Sequence, residues 1–138
     1  MFIGRDKELN ELDKIYKSDK FEFVVIFGRR RVGKTALINH FIDEKKSIYF
    51  MGIESNEKQN LENLSKNIMT YSNGIQADTY FASYQSALEY VFQIAEKERI
   101  VLTIDEYPYV ARGSKSLAST LQLLIDKYKD TTKLMLIL

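Results

Sequence analysis

The stretch "FEFVVIFGRRRVGKTALINHFI", residues 21–42, decides the fold of this chain. It opens with an apolar run that ends in a glycine, which is typical of a strand buried on both faces. It closes with apolar side chains at helical spacing: Leu37, Ile38, Phe41 and Ile42. Between the two lies a segment that is framed by glycines and carries three arginines. The pattern therefore predicts a strand, a tight loop and a helix in direct succession.

The loop in this stretch has the composition of a phosphate cradle. Residues 28–35 read G-R-R-R-V-G-K-T, a complete match to G-x-x-x-x-G-K-[ST] between a strand and a helix. Glycines let the backbone bend around an anion, and the helix that starts near Gly33 adds its positive end. Lys34 can reach the β- and γ-phosphates, and the Thr35 hydroxyl can ligate Mg²⁺. The predicted binding residues are Gly28, Arg29, Arg30, Arg31, Val32, Gly33, Lys34, Thr35 and Ala36.

The three arginines allow a second interpretation, a basic patch that binds nucleic acid. In a phosphate loop the backbone makes the cradle, so the side chains of Arg29–Arg31 would form a solvated basic rim. The chain has 20 Lys+Arg and 19 Asp+Glu, a formal charge of +1. A protein that grips nucleic acid along its length usually has a larger basic excess. The composition favours the solvated rim, and nucleic-acid binding stays as the alternative.

An acidic pair supplies the partner of the loop. The segment "RIVLTIDEYPY" is an apolar strand that ends in Asp105 and Glu106. Parallel strands present their carboxyl ends at one edge of a sheet, so this pair is expected beside the phosphate loop. There Asp105 would hold Mg²⁺ together with Thr35. Glu106 would orient and deprotonate an attacking water, which favours hydrolysis.

Strands and helices alternate along the rest of the chain. The spacing predicts helices over residues 5–16, 56–71, 84–97 and 116–128, and strands over 47–52, 99–106 and 133–138. This order predicts an α/β fold with a mostly parallel sheet and helices on both faces. The chain stops on the apolar run "LMLIL". We therefore expect residues 1–138 to be the N-terminal portion of a single domain, truncated after its fourth strand.

Composition excludes several classes of protein. The chain contains no cysteine, so disulfides and thiolate metal sites are excluded. The first residues, "MFIGRDKELN", lack the apolar core of a signal peptide. No apolar run reaches the roughly 18 residues that a membrane helix needs. The sequence predicts a cytoplasmic protein that makes no membrane contact.

Three stretches together resemble the archaeal-type ATPase family, an AAA+/STAND-related group of P-loop NTPases. They are "FIGRDKEL", "GRRRVGKT" and "VLTIDEYPYV", in that order along the chain. The resemblance implies a three-layer P-loop NTPase fold, with the phosphate-loop strand beside the fourth strand, and ATP as the ligand. It also places Gly4 and Arg5 near the adenine, although Arg5 reads equally well as an ordinary residue of a first helical turn.

The resemblance further implies the activity. The chain would be the ATP·Mg²⁺-binding motor or switch core of a larger multidomain ATPase, with Lys34 and Glu106 as catalytic residues. Elements that close over the nucleotide in this family would follow residue 138, so the fragment itself is expected to be inactive or weak. A regulatory nucleotide-binding module with negligible turnover is the alternative. DNA, a protein partner or further copies of the chain are the partners expected of regions beyond residue 138.

Overall fold

The computed structural model describes residues 6–26, 33–73 and 81–138. Within them strands and helices alternate, so the predicted α/β class is confirmed. The helices are α1 (Asp6–Tyr16), α2 (Lys34–Ile42), α3 (Glu57–Asn73), α4 (Tyr84–Ile94), α5 (Tyr107–Gly113) and α6 (Leu117–Tyr128). The strands are β1 (Glu22–Val24), β2 (Ser47–Met51), β3 (Ile100–Asp105) and β4 (Leu134–Ile137).

The four strands form one parallel sheet in the order β1-β4-β3-β2. The phosphate-loop strand β1 lies beside β4, as the family resemblance implies. In one row across the sheet, Val24 pairs with Ile137, Ile137 with Thr103, and Thr103 with Tyr49. Because all strands run the same way, their carboxyl ends meet at a single edge, where open α/β sheets bind ligands.

Helices cover both faces of the sheet and create two cores. Strand β3 is buried along its whole length, and its side chains alternate between the faces. Leu102 and Ile104 belong to the larger core, which is formed with α3, α4 and α6. Val101 belongs to the smaller core, which is formed with α1 and α2. The result is the three-layer arrangement that the alternating pattern predicts.

Helices α1, α3, α4 and α6 are amphipathic rather than apolar all round. Helix α6 buries one stripe at helical spacing: Leu117, Leu121, Leu124 and Tyr128. The longest described helix, α3, has 17 residues and a mixed polar composition. In the described part of the chain, no helix has both the length and the apolar character that crossing a bilayer requires.

The largest difference from the sequence pattern follows the acidic pair. The spacing predicts no helix between the acidic pair and residue 116, and the structure has helix α5 there. Pro108 lies in the first turn of this helix, where the missing N–H of proline has no intrahelical partner to lose. The helix is only 7 residues long, too short to produce a clear helical period in the sequence.

Candidate functional site

Helix α2 begins at the ligand edge of the sheet with a glycine before it. Gly33 has φ 84° and ψ 18°, the left-handed conformation that glycine adopts without a steric penalty. Its carbonyl accepts a hydrogen bond from the Leu37 N–H at 2.9 Å, which starts the helix. Gly33 has no side chain to cap the first-turn N–H groups. This helix end is therefore a source of partial positive charge and of N–H donors for an anion.

The first turn of α2 meets the end of β3. The Thr35 hydroxyl donates a hydrogen bond to Asp105 Oδ2 at 2.7 Å. Asp105 is completely buried, and its Oδ1 accepts the backbone N–H of Glu106 at 2.9 Å. The structure therefore brings together two residues, 70 positions apart, that the sequence predicts to share a metal ion.

A third residue in this cluster was missed by the sequence analysis. Tyr49, in the middle of β2, donates its hydroxyl to the same Asp105 Oδ2 at 2.5 Å. Met51 on β2 pairs directly with Asp105 on β3. Tyr49, two residues before Met51, is therefore a diagonal neighbour of Asp105, at a distance that an aromatic side chain can span. Burial, followed by the hydrogen bond to Asp105, raises the pKa of Tyr49 above its ordinary value. The tyrosine therefore acts as a neutral donor.

A sequence signal for Tyr49 was present but weak. Strand β2 alternates between the apolar residues Ile48 and Phe50, which enter the larger core, and Tyr49, which faces α1 and α2. A tyrosine on a buried strand usually finds a partner for its hydroxyl. Which partner it finds depends on the strand order, because β2 and β3 are neighbours only in the folded sheet.

Glu106 turns the chain out of the sheet and lies beside a cavity. Its backbone adopts φ 57° and ψ 39°, which is uncommon for a residue other than glycine. The cavity is about 480 Å³ in volume, and it is lined by Thr35, Met51, Gly52, Ile53, Glu54, Glu106 and Tyr109. The predicted water-activating carboxylate and the predicted metal-binding hydroxyl thus line one cavity.

Gly52 lets the wall of this cavity approach α5 closely. Its N–H donates to the Asp105 carbonyl at 2.8 Å, which continues the ladder past the end of β2. A Cβ at this position would lie 2.4 Å from Val110 Cγ2 and 2.8 Å from the Glu106 carbonyl oxygen. Only glycine fits here without moving the backbone that carries Glu106.

The next residue of the cavity wall is held by a buried side chain from α3. Asn60 Oδ1 accepts the Ile53 N–H at 3.0 Å, and Asn60 Nδ2 donates to the Ile53 carbonyl at 3.1 Å. Asn60 is fully buried, so this pair of bonds is shielded from water. The segment that carries Glu54 into the cavity is therefore fixed to α3. The sequence analysis missed Asn60, which reads as one polar residue among many in α3.

Several predicted site residues lie outside the described part of the chain. They are Gly4, Arg5, Gly28, Arg29, Arg30, Arg31 and Val32. The nucleic-acid alternative, which depends on Arg29–Arg31, concerns residues outside the described part of the chain as well, and it stays a prediction. Of the predicted loop residues, the structure describes Gly33, Lys34, Thr35 and Ala36, all at the start of α2.

The donor set fits magnesium. The Thr35 hydroxyl and the Asp105 carboxylate are hard oxygen donors that already contact one another. Within residues 6–26, 33–73 and 81–138, no group of three or more His, Cys, Asp or Glu side chains could enclose a metal ion. Mg²⁺ in phosphate-transfer sites is held in this sparse way, by one or two protein oxygens with water and substrate phosphates. Thr35 and Asp105 would hold it here.

The parallel sheet, the glycine-led helix end and the acidic end of β3 define an α/β ATPase domain of the P-loop type. The family described as "ATPase domain predominantly from Archaea" matches residues 2–138. The chain therefore belongs to this family of ATPase domains, and the resemblance noted in the sequence is confirmed.

Individual relatives agree with this assignment. An uncharacterized protein of Methanocaldococcus jannaschii is 30% identical over all 138 residues, which cover 29% of that protein. An uncharacterized ATP-binding protein of the same organism is 44% identical over 46 residues, which are 33% of this chain and 78% of that one. The chain thus spans less than a third of the first of these relatives.

Two solved structures share the fold. The Walker-type ATPase of Pyrococcus abyssi superposes with a TM-score of 0.67 and 19% identity, over 99% of this chain and 45% of that one. A chain in the structure of the Drosophila ORC bound to DNA superposes with a TM-score of 0.60 and 15% identity, over 97% and 37% of the two chains. Family membership supports nucleotide binding and ATPase-type activity in general, and these neighbours support the fold.

Proposed function

We propose that this chain is the ATP·Mg²⁺-binding core of a hydrolytic switch or motor, and the first part of a longer ATPase domain. The observation that carries the proposal is the 2.7 Å hydrogen bond between Thr35, at the start of α2, and Asp105, at the end of β3. It joins the two elements that a phosphate site and a metal site require at one edge of the sheet. The share of the relatives that the chain spans supports the second half of the proposal.

The residues divide the work as follows. The N–H groups at the start of α2 and the Lys34 ammonium bind the phosphates. The Thr35 hydroxyl, once released from its hydrogen bond to Asp105, and the Asp105 carboxylate would hold Mg²⁺. When bound, Mg²⁺ neutralises charge on the β- and γ-phosphates. The Glu106 carboxylate, which lines the same cavity as Thr35, takes a proton from the attacking water.

The test compares two variants of the full-length protein. Lys34→Ala should lose ATP binding, because it removes the positive charge at the phosphates. Glu106→Gln should bind ATP with unchanged affinity and lose turnover, because an amide cannot accept the proton. Binding is measured with a fluorescent ATP analogue and turnover by phosphate release. Wild-type turnover in Glu106→Gln would remove Glu106 from this role, and unchanged binding in Lys34→Ala would overturn the phosphate site.

A regulatory module that binds ATP with negligible turnover is the second candidate. Single-turnover hydrolysis by the intact protein separates the two candidates. A burst of one phosphate per bound ATP supports the switch, whereas bound ATP that persists for hours supports the regulatory module.

Partners and location stay predictions. The likeness to the Drosophila ORC chain, at 15% identity, concerns the fold alone. Binding of DNA or protein, assembly into oligomers, and a cytoplasmic location are therefore expectations for the intact protein.

A further inference from the structure

The Asp105 carboxylate is held by three donors of different kinds. Its Oδ1 accepts the Glu106 backbone N–H, and its Oδ2 accepts the hydroxyls of Thr35 and Tyr49. The carboxylate is completely buried, so these donors rather than water set its orientation. The backbone N–H already holds one oxygen of the carboxylate, so a single hydroxyl on the other oxygen would be enough to fix its orientation. Asp105 has two.

The two hydroxyls differ in how freely they move. Thr35 carries its hydroxyl on a side chain with a single heavy-atom torsion, so it exchanges partners by rotating one bond. Tyr49 carries its hydroxyl on a rigid ring in a central position of β2, where the strand pairs with β3 at Thr103. The Tyr49 carbonyl also accepts the Asn67 side-chain amide at 2.9 Å, which fastens this point of β2 to α3. The tyrosine is the fixed donor and the threonine is the exchangeable one.

We propose that Tyr49 is a positioning residue for the metal site: its hydroxyl holds Asp105 in place when Thr35 turns to the metal. The inference rests on the proposed function, since it assumes that Thr35 and Asp105 meet Mg²⁺. Tyr49 is not itself a ligand in this proposal: it stays the fixed donor to Asp105, whereas Thr35 is the donor that turns to the metal. Outer hydrogen-bond partners of this kind orient metal ligands, and losing one typically weakens metal binding about 10- to 100-fold.

A purely structural role for Tyr49 makes a different prediction. If the hydroxyl only satisfies a buried carboxylate, its loss lowers stability and leaves metal binding intact. The measurement must therefore depend on the affinity for the metal and not on the stability of the fold. The ratio of nucleotide affinities with and without metal does so, because by linkage it equals the effect of nucleotide on metal affinity.

The experiment uses the full-length protein and a non-hydrolysable ATP analogue. Its affinity is measured by titration calorimetry in EDTA and in saturating Mg²⁺, for wild type and Tyr49→Phe. In EDTA the two proteins should bind alike, because the lost hydroxyl donates to Asp105, while Lys34 and the backbone N–H groups at the start of α2 are unchanged. In Mg²⁺ the gain in affinity should fall by about 10-fold or more in Tyr49→Phe.

Tyr71→Phe is the matched control. Tyr71 is also a half-buried tyrosine that donates to a carboxylate, Glu98, at 2.8 Å, away from the described site. Burial and this hydrogen bond raise its pKa, as they do for Tyr49. The control should lose similar stability in thermal unfolding and keep the full gain in affinity with Mg²⁺. An equal gain in Tyr49→Phe and Tyr71→Phe would overturn the inference.

Two further variants separate this inference from the function on which it rests. If Thr35→Ala and Asp105→Asn lose the gain in affinity while Tyr49→Phe retains it, the positioning role alone is wrong. If Thr35→Ala and Asp105→Asn also retain it, the metal site itself is wrong. Should Tyr49→Phe fail to fold, Tyr49→4-aminophenylalanine replaces it, because this variant keeps a weaker donor in place. Its gain in nucleotide affinity with Mg²⁺ should fall below that of wild type. A full gain would overturn the inference.

Discussion

Strand β3 has a charged residue at each end, and the two ends are held in different ways. Arg99, directly before the strand, donates to three backbone carbonyls, those of Ile15, Lys20 and Lys133. Asp105, the last residue of the strand, accepts one backbone N–H and two side-chain hydroxyls. Both side chains join elements that are distant in sequence.

The difference indicates that Arg99 stabilises the fold, whereas Asp105 serves the candidate site. The carbonyls around Arg99 lie in the last turn of α1 and shortly before β1 and β4, so they cannot leave the guanidinium without moving those elements. At Asp105, by contrast, the Thr35 hydroxyl can exchange partners by rotating one bond. A charge held by backbone carbonyls fixes a fold, whereas one held in part by a rotatable hydroxyl is free to accept a ligand. The predictions below test this contrast in order of expected effect.

We expect the largest effect from Asp105→Asn, which should reduce activity and leave stability almost unchanged. We expect ATP turnover by the full-length protein to fall by on the order of 100-fold, the size typical of losing one preorganised electrostatic group. Stability should change little, because the hydroxyls of Thr35 and Tyr49 can rotate to accept hydrogen bonds from the new amide. Phosphate release and denaturant unfolding measure the two effects. A large loss of stability with normal turnover would reverse the contrast.

Arg99→Met should do the opposite. It keeps an apolar stem of similar length and removes every hydrogen bond to the three carbonyls. We expect a loss of about 2–3 kcal/mol in the free energy of unfolding, in the range for hydrogen bonds to a charged group. Nucleotide affinity of the folded protein should not change. Arg99→Lys should lie in between, because an ammonium is a single point that cannot reproduce the guanidinium fork.

Gly52→Ala tests the ligand edge through backbone rather than charge. The new methyl group would meet Val110 and the Glu106 carbonyl, so α5 must shift, at a cost of about 1–3 kcal/mol. Because Glu106 directly precedes α5, we also expect slower turnover. Gly113→Ala, at the other end of α5, is the matched control, since its nearest neighbour would lie at 3.4 Å. Equal thermal midpoints for the two variants would contradict the close approach at Gly52.

We expect the smallest effect on stability at a carboxylate in the helical layer, Glu89, which lies away from the Asp105 site. Glu89 accepts hydrogen bonds from Lys127 at 2.8 Å and from the Tyr128 hydroxyl at 2.6 Å. The Lys127 bond first, and then the Tyr128 bond, lower the pKa of Glu89 below its ordinary value of 4.5. A carboxylate with a lowered folded-state pKa adds stability above its unfolded-state pKa and loses it as the pH falls through the folded-state value.

Wild type should therefore exceed Glu89→Gln in thermal midpoint at about pH 6, by no more than about 4 °C for this partly exposed pair. The difference should vanish as the pH drops below the lowered pKa of Glu89. Melting curves across this range, followed by circular dichroism, give the comparison. A difference that persists at the acid end would show that packing, and not the charge, is responsible.

The local pattern anticipated most of the fold. Apolar spacing along residues 21–42 predicted a strand and a helix on either side of the glycine loop, and the structure has β1 and α2 there. The acidic pair at the end of β3 was predicted to lie near the start of α2, and Thr35 does contact Asp105. Helix α5 was missed, because a helix of 7 residues begun by an aromatic stretch with proline leaves no periodic signal.

By itself the sequence determined the class of the fold, the order of its elements and the two motifs, because these depend on spacing along the chain. Only the tertiary structure decided which residues surround Asp105. Tyr49 and Asn60 are ordinary members of a strand and a helix until the order β1-β4-β3-β2 sets β2 beside β3 and α3 behind the cavity wall. Hydrogen bonds between side chains act over about 3 Å in space, and no spacing along one chain encodes that distance.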